Sequence, residues 1–300
     1  MLSRSSWLHL RIPFSFFLLP IFLFSLSVSP NLSGSGIGWV FFIVHFLLYP
    51  ASNGYNSYFD KDEKSIGGLK NPPPVKTGLY YLALLFDLVA IILGYWKVNF
   101  TFAIMLLIYG LVSKAYSHPS IRLKKYAIGS WVITGLFQGL FTFLMCYVGI
   151  NNFSIENLGK PQLLFAGTLT SLMLWANYPL TQVYQHEEDA KRGDQTLSMM
   201  LGVKGTFYFA GVFFAIAVAG FIVYFHEYAK PIHTLLFLTA LAPTLAFFLF
   251  WFITVLKNER EADYTKTMWL NVTSATGLNI FFVYFFLDTS QVVQAIQGGF

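Results

Sequence analysis

Residues 205–225 read GTFYFAGVFFAIAVAGFIVYF, twenty-one positions without one charged side chain. About 20 consecutive apolar residues, rising 1.5 Å each as a helix, cross the roughly 30 Å hydrocarbon core of a bilayer. A membrane strand would be half as long and would alternate apolar with polar. This stretch does neither, so it predicts a transmembrane helix. Working outward, similar runs occur at 12–29, 37–56, 79–96, 99–116, 127–149, 163–185, 233–256 and 266–287. The chain is 56% hydrophobic and only 11% charged, against roughly 25% charged in soluble domains. It cannot coat a globule with charge. The expected fold is an all-α integral membrane protein, a bundle of about nine transmembrane helices around a central cavity. The first run follows Arg4 and Arg11 like a secretory leader, but no small-residue cleavage site follows it.

Basic residues fix an orientation. With the N-terminus inside, Lys and Arg divide 16 to 3, and the other side holds only Lys97, Lys160 and Lys230. Such a bias places the basic side in the cytoplasm, here beneath a bacterial inner membrane. It also accounts for the net charge of +5 with no nucleic-acid partner. The single cysteine, Cys146, allows neither an intrachain disulfide nor a multi-cysteine metal centre. His186-Glu187-Glu188-Asp189 is not the H-E-x-x-H zinc pattern.

The acids are gathered too. Asp60, Asp62 and Glu63 follow the second run; Glu187, Glu188, Asp189 and Asp194 follow the sixth. Those seven are half of the chain's 14 acids. Two similar halves are expected, roughly 12–126 and 127–287, each with a long helix running into an acidic turn, within one domain over 1–300. If the second helix continues past the membrane edge, Asn56, Asp60 and Glu63 or Lys64 share one face. Gln185, Glu188 and Asp189 align in the same way. Oxygen ligands of this kind suit Mg²⁺ bound through phosphate. Between them, Tyr116-Ser117-His118-Pro119 leads into Arg122, Lys124 and Lys125 at the same face. Two acidic ends and a basic loop make a site for a polyanion bridged by a divalent metal. Asp60 and Asp189 are expected at wet helix ends. Asp87, inside the third run, either lines the cavity or bonds to a neighbouring helix.

These motifs, in this order and at these helix ends, resemble the UbiA superfamily of intramembrane prenyltransferases over essentially the whole chain. The first motif, N-x-x-x-D-x-x-x-D, is matched by Asn56 and Asp60, with Lys64 at the third place. The second, D-x-x-x-D before a tail with a basic residue, Gly and Thr-Leu, is matched by Asp189, Arg192, Gly193, Thr196 and Leu197, with Gln185 in the leading place. Tyr116, Ser117, Pro119, Arg122, Leu123 and Lys124 resemble the family's Y-S-x-P-P-x-R-L-K loop.

The resemblance implies transfer of a polyprenyl group from an allylic diphosphate donor to an aromatic or other lipophilic acceptor. It implies Asp60, Asp189 and Tyr116 as catalytic residues, and Arg122, Lys124, Lys64 and Arg192 as diphosphate ligands. Metal ligands would come from Asn56, Asp60, Glu63, Gln185, Glu188 and Asp189, holding one or two Mg²⁺ where the family uses a pair. Lys64 and Gln185 leave that number open: Glu63 and Glu188 could supply the missing ligands, or Lys64 could contact the diphosphate itself. A transporter would also suit nine helices with an intramembrane Asp87, but transporters bind near the midplane. A catalytically altered homologue that binds isoprenoid lipid is the other alternative.

Overall fold

The computed structural model describes residues 3–290 and Val292; the remaining ends of the expected 1–300 domain lie outside the described residues. Among the described residues the only regular structure is helical, apart from one bridge pairing Ile66 with Leu69. The helices are α1 (Arg4–Ser27), α2 (Gly34–Asp60), α3 (Gly78–Lys97), α4 (Phe100–Ser117), α5 (Ala127–Asn151), α6 (Pro161–Asn177), the short α7 (His186–Lys191), α8 (Leu197–Tyr228), α9 (Pro231–Lys257) and α10 (Tyr264–Thr289). Eight of these, all but α6 and α7, are long and apolar enough to cross a membrane. The ninth, α6, has 17 residues and continues into a 3₁₀ turn at Tyr178–Thr181. Large apolar side chains such as Leu88, Val212, Leu249 and Ile280 are exposed on the outside of the bundle, where lipid would cover them.

Proline and glycine explain where the helices depart from the predicted runs. The sixth run, expected to 185, stops at Asn177, because Pro179 lacks a donor and its ring clashes with the carbonyl four residues back. The second motif is therefore not a continuation of a long helix. It is a separate short helix, α7. In α2, the turn Ile43–Leu48 widens to π geometry just before Pro50, and the wide turn absorbs the missing hydrogen bond. In α5 a second π turn spans Leu136–Phe141. Its Leu140 amide donates to the Ser171 hydroxyl at 2.9 Å. Gly202, at φ 70°, interrupts α8 near its start.

The first helix ties the bundle together. Phe24 is fully buried; it stacks on Phe282 of α10 at 4.7 Å and meets Phe143 of α5 and Tyr224 of α8 at 5.3 and 5.4 Å. Each such pair contributes about 0.5–1.5 kcal/mol beyond its buried area. Helix α5 serves both main cores, with Cys146 in one and Phe143 in the other. Asp87 of α3 forms an ion pair with Lys114 of α4, whose ammonium lies 5.0 Å from the Tyr55 ring. Of the two expected roles for Asp87, the geometry shows the bond to a neighbouring helix.

Candidate active site

Helix α2 ends at Asp60 because Lys61 turns left-handed (φ 49°) and its amide closes on the Ser57 carbonyl. The helical face expected to carry Asn56, Asp60 and Glu63 or Lys64 therefore ends at Asp60. Glu63 and Lys64 are not on it. The chain instead doubles back and places Asp62, two residues on, against the cavity. Glycines make the next turn, between Ile66 and Leu69. Gly68 has φ 84°, and a side chain at Gly67 or Gly68 would strike the Phe14 ring. The Arg11 guanidinium clamps the loop by donating to the Gly67 carbonyl at 3.0 Å and the Asn53 carbonyl at 3.4 Å. Further along, His9 and Ser5 bond the carbonyls of Pro73 and Pro74 at 2.7 and 2.6 Å.

The basic loop after α4 crosses to the second acidic motif. Arg122, itself left-handed at φ 46°, grips Asp194 with two hydrogen bonds of 2.7 and 2.9 Å. Lys124 lies 2.5 Å from Asp60 and 3.4 Å from Asp194. From α7, Arg192 reaches Asp62 of the first motif, Asp189 at 2.6 Å, and Asp194 at 3.6 Å. The acidic and basic segments, far apart in sequence, thus form one ion-pair network at one end of the bundle.

The acids of this network are shielded from bulk solvent. Side-chain exposure is 5% for Asp60, 9% for Asp189 and 1% for Asp194, so the expected wet helix ends are buried instead. The reason is that Lys124 and Arg192 cover them. Burial raises the Asp189 carboxyl to about 6, outweighing the opposing pull of Arg192. Asp194 is also desolvated, yet its hydrogen bonds from Arg122 and the nearby Lys124 hold it below the usual carboxylate range.

The network forms the mouth of a cavity of about 280 Å³. Of the residues expected from sequence, Asn56, Asp60, Tyr116, Lys124, Gln185, Asp189 and Arg192 line it. Arg122 stands just behind, through Asp194. Glu63, Lys64 and Glu188 are not part of the lining: Lys64 pairs with Glu187 on the exposed surface, and Glu188 sits 3.9 Å from Arg192. Sequence reading missed Asp62, Asp194 and Arg11 as lining residues. Asp62 and Asp194 were visible as acids in the right loops; only the backbone turns show that they face inward. The same cavity is also lined by apolar side chains, among them Phe17, Leu18, Phe137, Leu174 and Met268, and by uncharged polar ones such as Gln138, Asn177 and Asn271. Within this lining, the hydroxyls of Tyr116 and Tyr178 bond to each other.

The donor atoms suit Mg²⁺. Asp60, Asp62 and Asp189 offer carboxylate oxygens. Asn56 uses its amide N–H on the Ser117 hydroxyl at 3.1 Å, which leaves its carbonyl oxygen for a ligand. Among the described residues no three His, Cys, Asp or Glu side chains converge to hold an ion alone. A phosphate-bridged Mg²⁺ needs only one or two carboxylates, so the residues fit that mode.

Comparison with known proteins agrees with this geometry. The model of the UbiA prenyltransferase family matches residues 17–275. No curated protein matches the chain's sequence. Among solved structures, a UbiA homolog from Archaeoglobus fulgidus bound to DMAPP and Mg²⁺ superposes with a TM-score of 0.69 at 16% identity, over 95% of this chain and 99% of that one. The same homolog bound to GPP and Mg²⁺ gives 0.67 at 17% identity, with the same coverage. Digeranylgeranylglyceryl phosphate synthase gives 0.60 at 19% identity, over 94% and 98%. Shared architecture over nearly the full length, and a family match over most of it, place this membrane protein in the UbiA prenyltransferase family.

Proposed function

We propose that the chain transfers a prenyl group from an allylic diphosphate to a lipophilic acceptor, aromatic or otherwise, with Mg²⁺ assisting departure of the diphosphate. One observation carries this reading: paired Asp, Lys and Arg share one cavity with an apolar stretch of wall formed by Phe17, Leu18, Phe137, Leu174 and Met268. The two parts match the two ends of a prenyl diphosphate. The Archaeoglobus fulgidus homolog binds GPP and DMAPP with Mg²⁺, which supports the same donor class here.

In this proposal Lys124 and Arg192 bind the diphosphate oxygens, and Arg122 positions Lys124 through Asp194. Asn56, Asp60 and Asp189, with Asp62 and Gln185 beside them, hold Mg²⁺, which supplies positive charge to the leaving group. Low exposure at the mouth strengthens each of these interactions, because charge stabilisation grows as water is excluded. The faces of Tyr116 and Tyr178 shelter the allyl cation, and the apolar walls keep water from capturing it before the acceptor does. Glu63, Lys64 and Glu188, outside the lining, have no role in this scheme. The test is transfer of a radiolabelled prenyl group to a mixed acceptor extract by the purified chain in detergent. Transfer that requires Mg²⁺ is expected; no transfer with any allylic donor would refute the reading.

A further inference from the structure

We infer that the site takes one divalent ion rather than the pair that the family resemblance implies, and that the Arg192 guanidinium occupies the place between the acidic motifs where a second ion would sit. This inference rests on the transferase reading and deepens it. A single guanidinium faces four carboxylates drawn from both motifs: Asp62 from the first, and Glu188, Asp189 and Asp194 from the second. Anionic oxygens gathered from two chain segments around one centre are the usual setting of a bridging metal. Here the centre is supplied by the chain.

The neighbouring positions agree. Lys64 stands where the family's first motif has its last acid, and it is turned outward to Glu187. Gln185 stands where the second motif begins, and its amide N–H donates to the Ser65 carbonyl at 3.4 Å, so it joins the two loops. Followed through every ion pair, the network contains six acids (Asp60, Asp62, Glu187, Glu188, Asp189, Asp194) and five bases (Lys64, Arg122, Lys124, Lys191, Arg192), a difference of 6 − 5 = 1 negative charge. The chain's own cations have already neutralised most of the acid that a second ion would need. Asp60 is the acid that Arg192 does not contact: its partners are Lys124 and, at 3.8 Å, Arg122. Together with the Asn56 carbonyl one turn earlier, it offers the one or two hard oxygens that a phosphate-bridged ion requires. Admitting a second ion would displace the guanidinium from these buried carboxylates, and breaking buried ion pairs is unfavourable.

The experiment counts ions instead of turnover. Purified chain is saturated with a prenyl thiolodiphosphate, whose C–S bond resists ionisation, and titrated with Mn²⁺. Free ion is followed by electron paramagnetic resonance. One Mn²⁺ per chain is expected for the wild type, and Arg192→Lys, which keeps the charge, is expected to keep that count. Arg192→Gln is expected to bind two. Two ions in the wild type would overturn the inference while leaving the transferase reading intact. A folded Arg192→Gln that still binds one would overturn the assignment of Arg192. No Mn²⁺ bound alongside the analogue would overturn the metal-assisted reading itself. The wild-type count decides even where the glutamine variant does not fold.

Discussion

Asp60 and Asp189 each combine a chemical role with a structural one, and the two must be separated by the choice of substitution. Asp60→Ala removes the counter-charge of Lys124, which is itself only 9% exposed. Breaking such a buried pair costs about 3–5 kcal/mol, so alanine confounds folding with catalysis. The amides Asp60→Asn and Asp189→Asn keep shape and hydrogen bonding. Each is expected to lower the transfer rate by about 100-fold or more, since a lost charge at the developing leaving group costs on the order of 3 kcal/mol. Wild-type rate in either amide variant, folded by size-exclusion chromatography, would sink the site. Lys64→Ala is expected to leave rate and Mg²⁺ dependence unchanged, because its partner Glu187 lies with it on the exposed surface; a tenfold loss would show otherwise. Asp189 adds a pH signature. With its carboxyl raised to about 6, it gains a proton as pH falls through that value. Apparent Mg²⁺ affinity is expected to fall by up to about tenfold per pH unit below 6. Asp189→Asn should flatten that profile. Stability moves the other way: the folded state holds this proton more tightly than the unfolded chain (about 6 against 3.8), so raising pH across that window costs stability.

At the scale of elements, apolar runs long enough to span a bilayer located the helices, but periodicity has no term for a widened turn. The runs containing Pro50 and Gly139 read as unbroken helices. In the structure each contains a π turn, because a missing amide or a close neighbour forces one. The same limit hid part of the site. Asp62 and Asp194 face inward through the left-handed residues Lys61, Arg122 and Gly193, and a helical face cannot be extrapolated past such a turn. Tyr116, Lys124, Asp189 and Arg192, by contrast, were legible, because motif and cavity wall coincide. The π turn of α5 carries Phe137 and Gln138 on the cavity wall, beside Gly139, where an added Cβ would meet the Ser171 backbone at 2.6 Å. Backbone cannot yield as a side-chain tip can. Gly139→Ala is expected to lower stability by about 1–3 kcal/mol, read as a fall in melting temperature in detergent. An unchanged melting temperature would show that α5 and α6 are free to separate.

For the molecule as a whole, the division of 16 basic residues against 3 was a statement about loops, and the structure shows what those loops do. They join: Arg122 to Asp194, Arg192 to Asp62, and Lys64 to Glu187 all link segments that follow α2, α4 and α6. At the opposite end, Lys230 pairs with Asp288 and the Asn31 amide donates to Asn151. If the basic end faces the cytoplasm, as the charge bias predicts, the proposed diphosphate donor enters from the compartment where soluble charged metabolites are made. Single cysteines test this directly. The native Cys146 is fully buried, so it contributes no labelling background. Lys160 and Lys70 are both exposed, one between α5 and α6, the other in the loop after α2. In intact cells, Lys160→Cys is expected to react with a membrane-impermeant maleimide. Lys70→Cys should react only after the cells are opened. Labelling of Lys70→Cys in intact cells would invert the orientation and put the diphosphate site outside. The loop charges would then need another explanation, and donor supply would have to come from the external side.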